Sequence, residues 1–373
     1  MEHVRHISRR RFSEAAGGAG LAGVAHALGG GITFAQSDAT PAASPAASPA
    51  AELSFTLGVV DTLLGEVTLP ENPQRVLCIN DGPVDTMLNL GLVPIATGFS
   101  YGDEAGGDQA VMSYLQPLVP EGAEITYVGG WDDFDVEKAI ALKPDLILAE
   151  GRERFTGATK ADAEADPNVQ ALLRIAPLVI PKDIETEDPL GLQYFEYSHL
   201  LWSHCLGKLD EGQALLDAQR EKTAQLAVDM ADHEGETSIV FRPTPDFPLV
   251  MSQKWFTGVL LHRVGIVGNE YAESVPYPHS GKNLSLEQMD KLDADWIFIA
   301  PRFSAEMSAD RDALVATYME NPLFAALPAI VDGQYGLVDG QVWSGANSMV
   351  AADIILDNIR NVIVDGVQDQ TSA

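Results

Sequence analysis

The chain has 373 residues, a formal net charge of −31 and 46% hydrophobic residues. A surface this acidic repels nucleic acid and anionic lipid headgroups, which excludes functions that rest on a basic patch. It suits a salty or acidic habitat.

The chain opens on an export signal. Ser8-Arg9-Arg10-Arg11-Phe12 matches the twin-arginine pattern, followed by a weakly hydrophobic Ala/Gly-rich stretch, Ala15 to Phe34, and a small residue at Ala35 where a peptidase could cut. The stretch holds too many glycines, plus His26, for a membrane span. Gly18 to Gly23 satisfies GxGxxG, but no strand precedes it, so it is no dinucleotide site. Residues 1–35 are thus read as signal and residues 36–51, with their Pro-Ala-Ala-Ser repeat, as an extended tether. The expected location is extracytoplasmic. No lipid-accepting cysteine lies near the cleavage region, so any membrane attachment would be through an uncleaved signal or a partner. Loss of residues 1–35 leaves 19 basic and 52 acidic residues, a net charge of −33, and ten arginines.

Residues 52–188 read as an N-terminal α/β lobe. An antiparallel pair (53–59 and 65–69) leads to strand 75–80, a helix from Val84 to Leu90 capped by Gly91, and strands at 93–98, 125–128 and 176–180. Residues 189–233 carry a helical apolar pattern (Leu200, Leu201, Leu209, Leu216, Leu226, Met230), weakened at Gly207 and Gly212. This segment predicts a rigid helical bridge, and hence small lobe motions. Residues 234–373 restart with strands at 238–241 and 249–251, a helix from Gly258 to Val264, strand 335–338 and a final helix from Ser348 to Val364. Cys78, in an apolar strand, and Cys205, in the bridge, could pair in an exported protein, but their placement favours two separate buried thiols.

One device occurs twice. Residues 135–152 (DVEKAIALKPDLILAEGR) and 285–302 (SLEQMDKLDADWIFIAPR) align at an offset of 150, matching Glu137 with Glu287, Asp145 with Asp295 and Arg152 with Arg302. Each reads as a short amphipathic helix, a tight turn, a fully apolar strand and an arginine just beyond it. Apolar strands of this kind belong in parallel sheets covered on both faces, and open α/β sheets bind ligands beyond their carboxyl ends. Two lobes would therefore present arginines to a shared crevice.

The run QRVLCINDGPVDTMLNLGLVPIATG, the ALKPDLI motif after Glu137, the connecting helix and LEQMDKLDADWIFIAP together resemble the solute-binding proteins of iron-siderophore, haem and cobalamin importers, over roughly residues 53–365. The resemblance implies the class III periplasmic binding protein plan: two Rossmann-like lobes bridged by a single long helix, with ligand in a shallow cleft between them. It implies a monomer that captures a ferric siderophore, with iron held through the chelator and no cofactor, and delivers it to an ABC permease. Glu137 and Glu287 match the family's permease-docking glutamates; as ordinary first-turn acids they would equally favour a helix start.

An anionic, partly aromatic ligand calls for guanidinium groups and for Trp and Tyr surfaces. Arg152, Arg242 and Arg302, each just past an apolar strand, are the candidate anion partners, although salt bridges to the abundant carboxylates would use them as well. Trp131, Trp255, Trp343 and Tyr101 are candidate ligand aromatics, and Asn80 is a candidate hydrogen-bonding group that could instead cap the following helix. Trp296, inside a repeat strand, reads as core, and Arg154 as a solvated charge. His199 and His204 lie five apart on the bridge and do not share a face, so no direct zinc or manganese site is expected. No GxSxG, HExxH, P-loop or CxxC occurs. A haem or cobalamin binder is the nearer alternative, and an exported enzyme the distant one.

Overall fold

A computed structural model describes residues 55, 58–98, 110–130, 134–151, 159–182, 192–276, 281–302 and 308–371. The signal, the tether, Tyr101, Trp131, Arg152 and Arg154 lie outside the described residues.

The N-terminal lobe begins with a hairpin, β1 (Val59–Thr62) and β2 (Gly65–Thr68). Its first strand starts at the point where the sequence reading ends it. Thr62 pairs with Gly65, so Leu63-Leu64 forms a two-residue turn, and that short loop fixes the register. Strands β3 (Val76–Ile79), β4 (Ala96–Gly98), β5 (Thr126–Tyr127), β6 (Leu146–Ala149) and β7 (Leu178–Val179) follow, with helices α1 (Asp81–Asn89), α2 (Val136–Leu142), α3 (Lys160–Ala165) and α4 (Pro167–Leu172). The five strands pair in parallel in the order β5-β4-β3-β6-β7. The adjacent strands β3 and β6 are buried at every residue, as a sheet covered on both faces requires.

The bridge is helical, but two helices build it: α5 (Tyr194–Cys205) and α6 (Leu209–Asp229). The corner is at Gly207, whose φ of +68° suits glycine. Gly212 then lies against α5 so closely that a Cβ there would sit 2.3 Å from Ser203 Oγ. The two glycines that weaken the helical pattern are what let the chain turn. Helix α5 is sandwiched between the lobes. Leu201, Trp202 and Cys205 join the N-terminal core, while Phe195 and Leu200 join the C-terminal one. Glu196, fully buried on α5, accepts hydrogen bonds from Arg220 of α6 (3.0 and 3.2 Å) and from Arg263 (2.9 and 2.9 Å). Burial pushes this carboxyl up, but the hydrogen bonds from Arg263 and Arg220 outweigh it and hold the group below its usual range.

The C-terminal lobe comprises β8 (Thr237–Pro243), β9 (Pro248–Met251), α7 (Phe256–Arg263), β10 (Val267–Gly268), α8 (Glu270–Glu273), β11 (Gly281–Asn283), β12 (Trp296–Ile299), α9 (Ser308–Met319), α10 (Pro322–Ala325), α11 (Pro328–Asp332), β13 (Tyr335–Val338), α12 (Gly340–Gly345), α13 (Met349–Ile359) and β14 (Asp369–Gln370). Its sheet runs β11-β9-β8-β12-β13-β14, with β10 alongside the start of β8. Strand β9 pairs antiparallel with β8 and β11; the other pairings are parallel.

The duplication is physical. The Asp145 carboxylate accepts from the backbone N–H groups of Gln74 (2.8 Å) and Arg75 (2.9 Å), just ahead of β3. Its counterpart Asp295 accepts from the N–H (2.7 Å) and hydroxyl (2.9 Å) of Thr237, which opens β8. Each aspartate pins the start of the strand next to its own. The duplication also extends beyond residues 135–152 and 285–302. Asp166 caps α4 through the N–H groups of Asn168 and Val169, and Asn321 caps α10 through those of Leu323 and Phe324, each ahead of a proline at the helix start. The copies differ at their first helix: 136–142 is α-helical, whereas Leu286–Leu292 is a 3-10 helix interrupted at Gln288.

Candidate functional site

The carboxyl ends of β3 and β6 form the N-terminal lobe's rim. Asn80 leaves β3 at φ +70° and ψ 174°, a backbone region that is nearly glycine's alone. Its N–H donates to Gly98 O at 2.9 Å, so the sheet ladder holds it in this strained shape while α1 starts immediately behind it. Asp81 (4% exposed) and Glu150 (1%), which follow β3 and β6, bring two buried carboxylates to the same edge. The half-buried Tyr114 is near them: burial first, then the charges of Asp85, Asp81 and Glu150, raise its hydroxyl well above the usual tyrosine range. Gly151 donates its N–H to Tyr194 Oη at 2.9 Å, which anchors the chain just past β6.

On the C-terminal lobe, Arg242 is the next-to-last residue of β8, opposite Leu249 of β9, and is half-buried between the buried Phe241 and Pro243. Arg302, three residues past β12, donates to Ser344 O at 3.3 Å. The Nη2 end of the guanidinium abuts Gly345, where a Cβ would come within 2.2 Å of it. Ser344 and Gly345 close α12, so the cation sits where helix carbonyls favour positive charge. Asp339, at the other end of α12, has its carboxyl raised by burial, an effect that Arg302 and Arg311 partly offset. Strands β8 and β12 are adjacent and parallel, so the structure brings Arg242 and Arg302 to the same edge of one sheet.

Trp343 does not line the rim. It is fully buried in α12, stacked on Phe298 at 4.6 Å, with its indole N–H donated to Asn358 Oδ1 at 2.9 Å. The reading from sequence placed it in a segment trailing β13; it is instead on a helix turned onto the sheet, where a large ring fills core space. Trp255, the residue before α7, is half-buried against the C-terminal core. Trp296 is buried and donates to Glu236 Oε2 at 2.8 Å, a core residue as expected. Glu137 and Glu287 are both exposed in the first turns of their helices. Those helices begin at the carboxyl edges of the sheets, since Asp135 N–H bonds to Val128 O after β5 and Leu284 N–H bonds to Pro248 O beside the end of β8. Cys78 and Cys205 are free and buried. His199 is buried, with Nε2 3.1 Å from Gly212 O, and burial lowers it to about 4. Among the described residues, no group of three or more His, Cys, Asp or Glu side chains could hold a metal ion.

A family model described as periplasmic binding protein matches residues 76–339, spanning both lobes and the bridge. The chain belongs to the periplasmic binding protein family. It is 26% identical over 305 residues to YhfQ of Bacillus subtilis (strain 168), a lipoprotein assigned by inference to ABC-transporter substrate binding, covering 80% of this chain and 85% of YhfQ. It is 25% identical over 302 residues to the Fe(3+) dicitrate-binding periplasmic protein FecB of Escherichia coli (strain K12), covering 79% and 87%. The solved structure of Staphylococcus aureus SirA complexed with staphyloferrin B superposes with a TM-score of 0.63 at 20% identity, over 81% of this chain and 97% of SirA, a likeness of fold. In this periplasmic binding protein, residue-by-residue reading overlooked Glu150, Tyr114 and Tyr194. Glu150 carries a readable signal, since it immediately follows an apolar repeat strand. Tyr114 and Tyr194 carry none, because they reach the rim only through tertiary packing.

Proposed function

We propose that the protein binds a ferric siderophore in the cleft between its lobes and delivers it to an ABC permease, with capture and hand-over as its whole mechanism. The observation that carries this reading is the pair Arg242 and Arg302 at the carboxyl ends of adjacent central strands, in a family whose member FecB is named for Fe(3+) dicitrate. Guanidinium groups pair with carboxylate oxygens in charge-assisted hydrogen bonds, so the favoured ligand is an anionic ferric chelate bearing carboxylates. Arg152, Tyr101 and Trp131 would contribute from the N-terminal lobe, Trp255 would supply aromatic surface from the C-terminal one, and Asn80 would offer its amide. Glu137 and Glu287, exposed at equivalent places on the two rims, would meet cationic side chains of the permease. Export by the twin-arginine route would bring the protein, as a monomer, outside the cytoplasm.

The test is a fluorescence titration of the purified protein with ferric citrate, one hydroxamate and one catecholate ferric chelate, haemin and cobalamin. Saturable quenching by a ferric chelate supports the proposal. Saturation by haemin or cobalamin alone, with no response to any ferric chelate, overturns the ligand assignment.

A further inference from the structure

A buried polar contact joins the lobes. Asp85 of α1 is 0% exposed, and its carboxylate accepts from the Ser348 hydroxyl at 2.6 Å and from the Val350 N–H at 3.1 and 3.3 Å. Ser348 is the N-cap of α13 by position, yet its side chain makes no capping bond to its own helix. The exposed N–H groups of a helix start need acceptors and favour negative charge. Here a residue of the opposite lobe supplies the acceptor. The Tyr114 hydroxyl lies 3.4 Å from Ser348 Oγ, and Val350 packs against the N-terminal core. The contact links segments that leave the carboxyl ends of β3 and β13, because α1 follows β3 directly and Ser348 follows α12, which comes straight after β13.

We infer that Asp85 and Ser348 form an interlobe clasp that holds the two rims at the spacing the ligand requires, which makes them positioning residues for binding. This rests on the proposed cleft as the ligand site. A buried carboxylate is costly unless its hydrogen bonds are satisfied, so the clasp is stable closed and poor when half-made. Helix α5 joins the lobes covalently and the Glu196 cluster fixes α5 to the C-terminal lobe. The N-terminal lobe packs on α5 through Leu201, Trp202 and Cys205, and the clasp adds a direct polar restraint against rotation of that lobe about α5. If opening leaves the rims correctly spaced only a tenth of the time, apparent affinity falls about tenfold.

The experiment places spin labels at Glu121→Cys in the N-terminal lobe and Asp332→Cys in the C-terminal lobe, both exposed, while the native thiols are buried. Distance distributions are recorded without ligand for the otherwise unchanged protein and for Ser348→Ala, Asp85→Ala and Asp85→Asn, and each is titrated with ferric citrate. Broadened distances and roughly tenfold weaker binding in Ser348→Ala and Asp85→Ala, with Asp85→Asn close to the parent because its amide oxygen still accepts, are the expected results. Ser348→Ala keeps the test valid should Asp85→Ala fail to fold. Distances as narrow in Ser348→Ala as in the parent overturn the clasp. Failure of the parent to bind ferric citrate strikes at the ligand proposal instead, and the distance comparison still decides the clasp.

Discussion

Replacing Asp85 with asparagine is expected to remove a pH dependence of stability that burial creates. Burial raises the Asp85 carboxyl from 3.8 to about 7; hydrogen bonds from Ser348 and Val350 pull the other way, and the nearby charge of Asp353 adds to the rise. The charged and titratable neighbours are Asp81 on the same helix, Tyr114, Glu150, and Asp353 of α13, which in turn faces Lys222 of α6 at 3.8 Å. His199 contacts Thr86 from α5, and burial keeps it neutral above about 4. The folded state thus binds the Asp85 proton more tightly than the unfolded chain does. Its contribution is largest below pH 4, declines as pH rises and levels off above about 7. A shift of roughly three pH units corresponds to at most about 4 kcal/mol. Asparagine cannot ionise, so its difference from the parent isolates Asp85 together with its coupling to Asp353, while Asp339 titrates in both proteins and cancels. Urea denaturation at steps between about pH 4 and pH 8 measures the difference. The variant should be about as stable as the parent at the acid end and should gain on it progressively towards pH 8. A difference that stays constant with pH would refute the reasoning.

Further outcomes follow from the same geometry. Glu196→Ala leaves two guanidinium groups without their buried carboxylate and should cost about 3–5 kcal/mol in denaturation; because this carboxyl sits below its usual range, its stabilisation is present above pH 4.5 and lost as pH falls further. Arg242→Ala and Arg302→Ala should each weaken ferric-citrate binding by about 1.5–3 kcal/mol with an unchanged circular dichroism spectrum; a collapsed spectrum would make them structural. Asn80→Gly should raise the melting temperature, since it relieves a backbone shape that costs about 1–3 kcal/mol, and a lower value would mean that the amide matters more than the strain. Charge reversal at Glu137 and Glu287 should leave affinity intact and impair uptake in cells, and undiminished uptake removes their docking role.

The fold was legible where local pattern and tertiary environment agree. Strands β3, β6 and β12 are continuous apolar runs because both faces are covered, so composition alone marks them. Asp145 and Asp295 stood out as a matched pair, although only the structure shows that each grips the neighbouring strand. The bridge was legible as helix but not as two helices, because Gly207 and Gly212 weaken a helical pattern without revealing that Ser203 and His199 await on the far side of a corner. Trp343 misled because an aromatic after a strand reads alike whether it faces a cleft or a sheet. The Asp85–Ser348 contact spans 263 residues and leaves no trace in either local sequence.

On the proposed function, Arg242 and Arg302 of the C-terminal rim hold an anionic ferric chelate between the lobes. Equilibrium dialysis of residues 52–373 against iron-55-labelled ferric citrate, beside the Arg242→Ala/Arg302→Ala double variant, addresses this most directly. Stoichiometric, saturable binding by the parent and its loss in a folded double variant is the predicted result. Equal binding by both proteins would rule out these arginines as the ligand's anion partners.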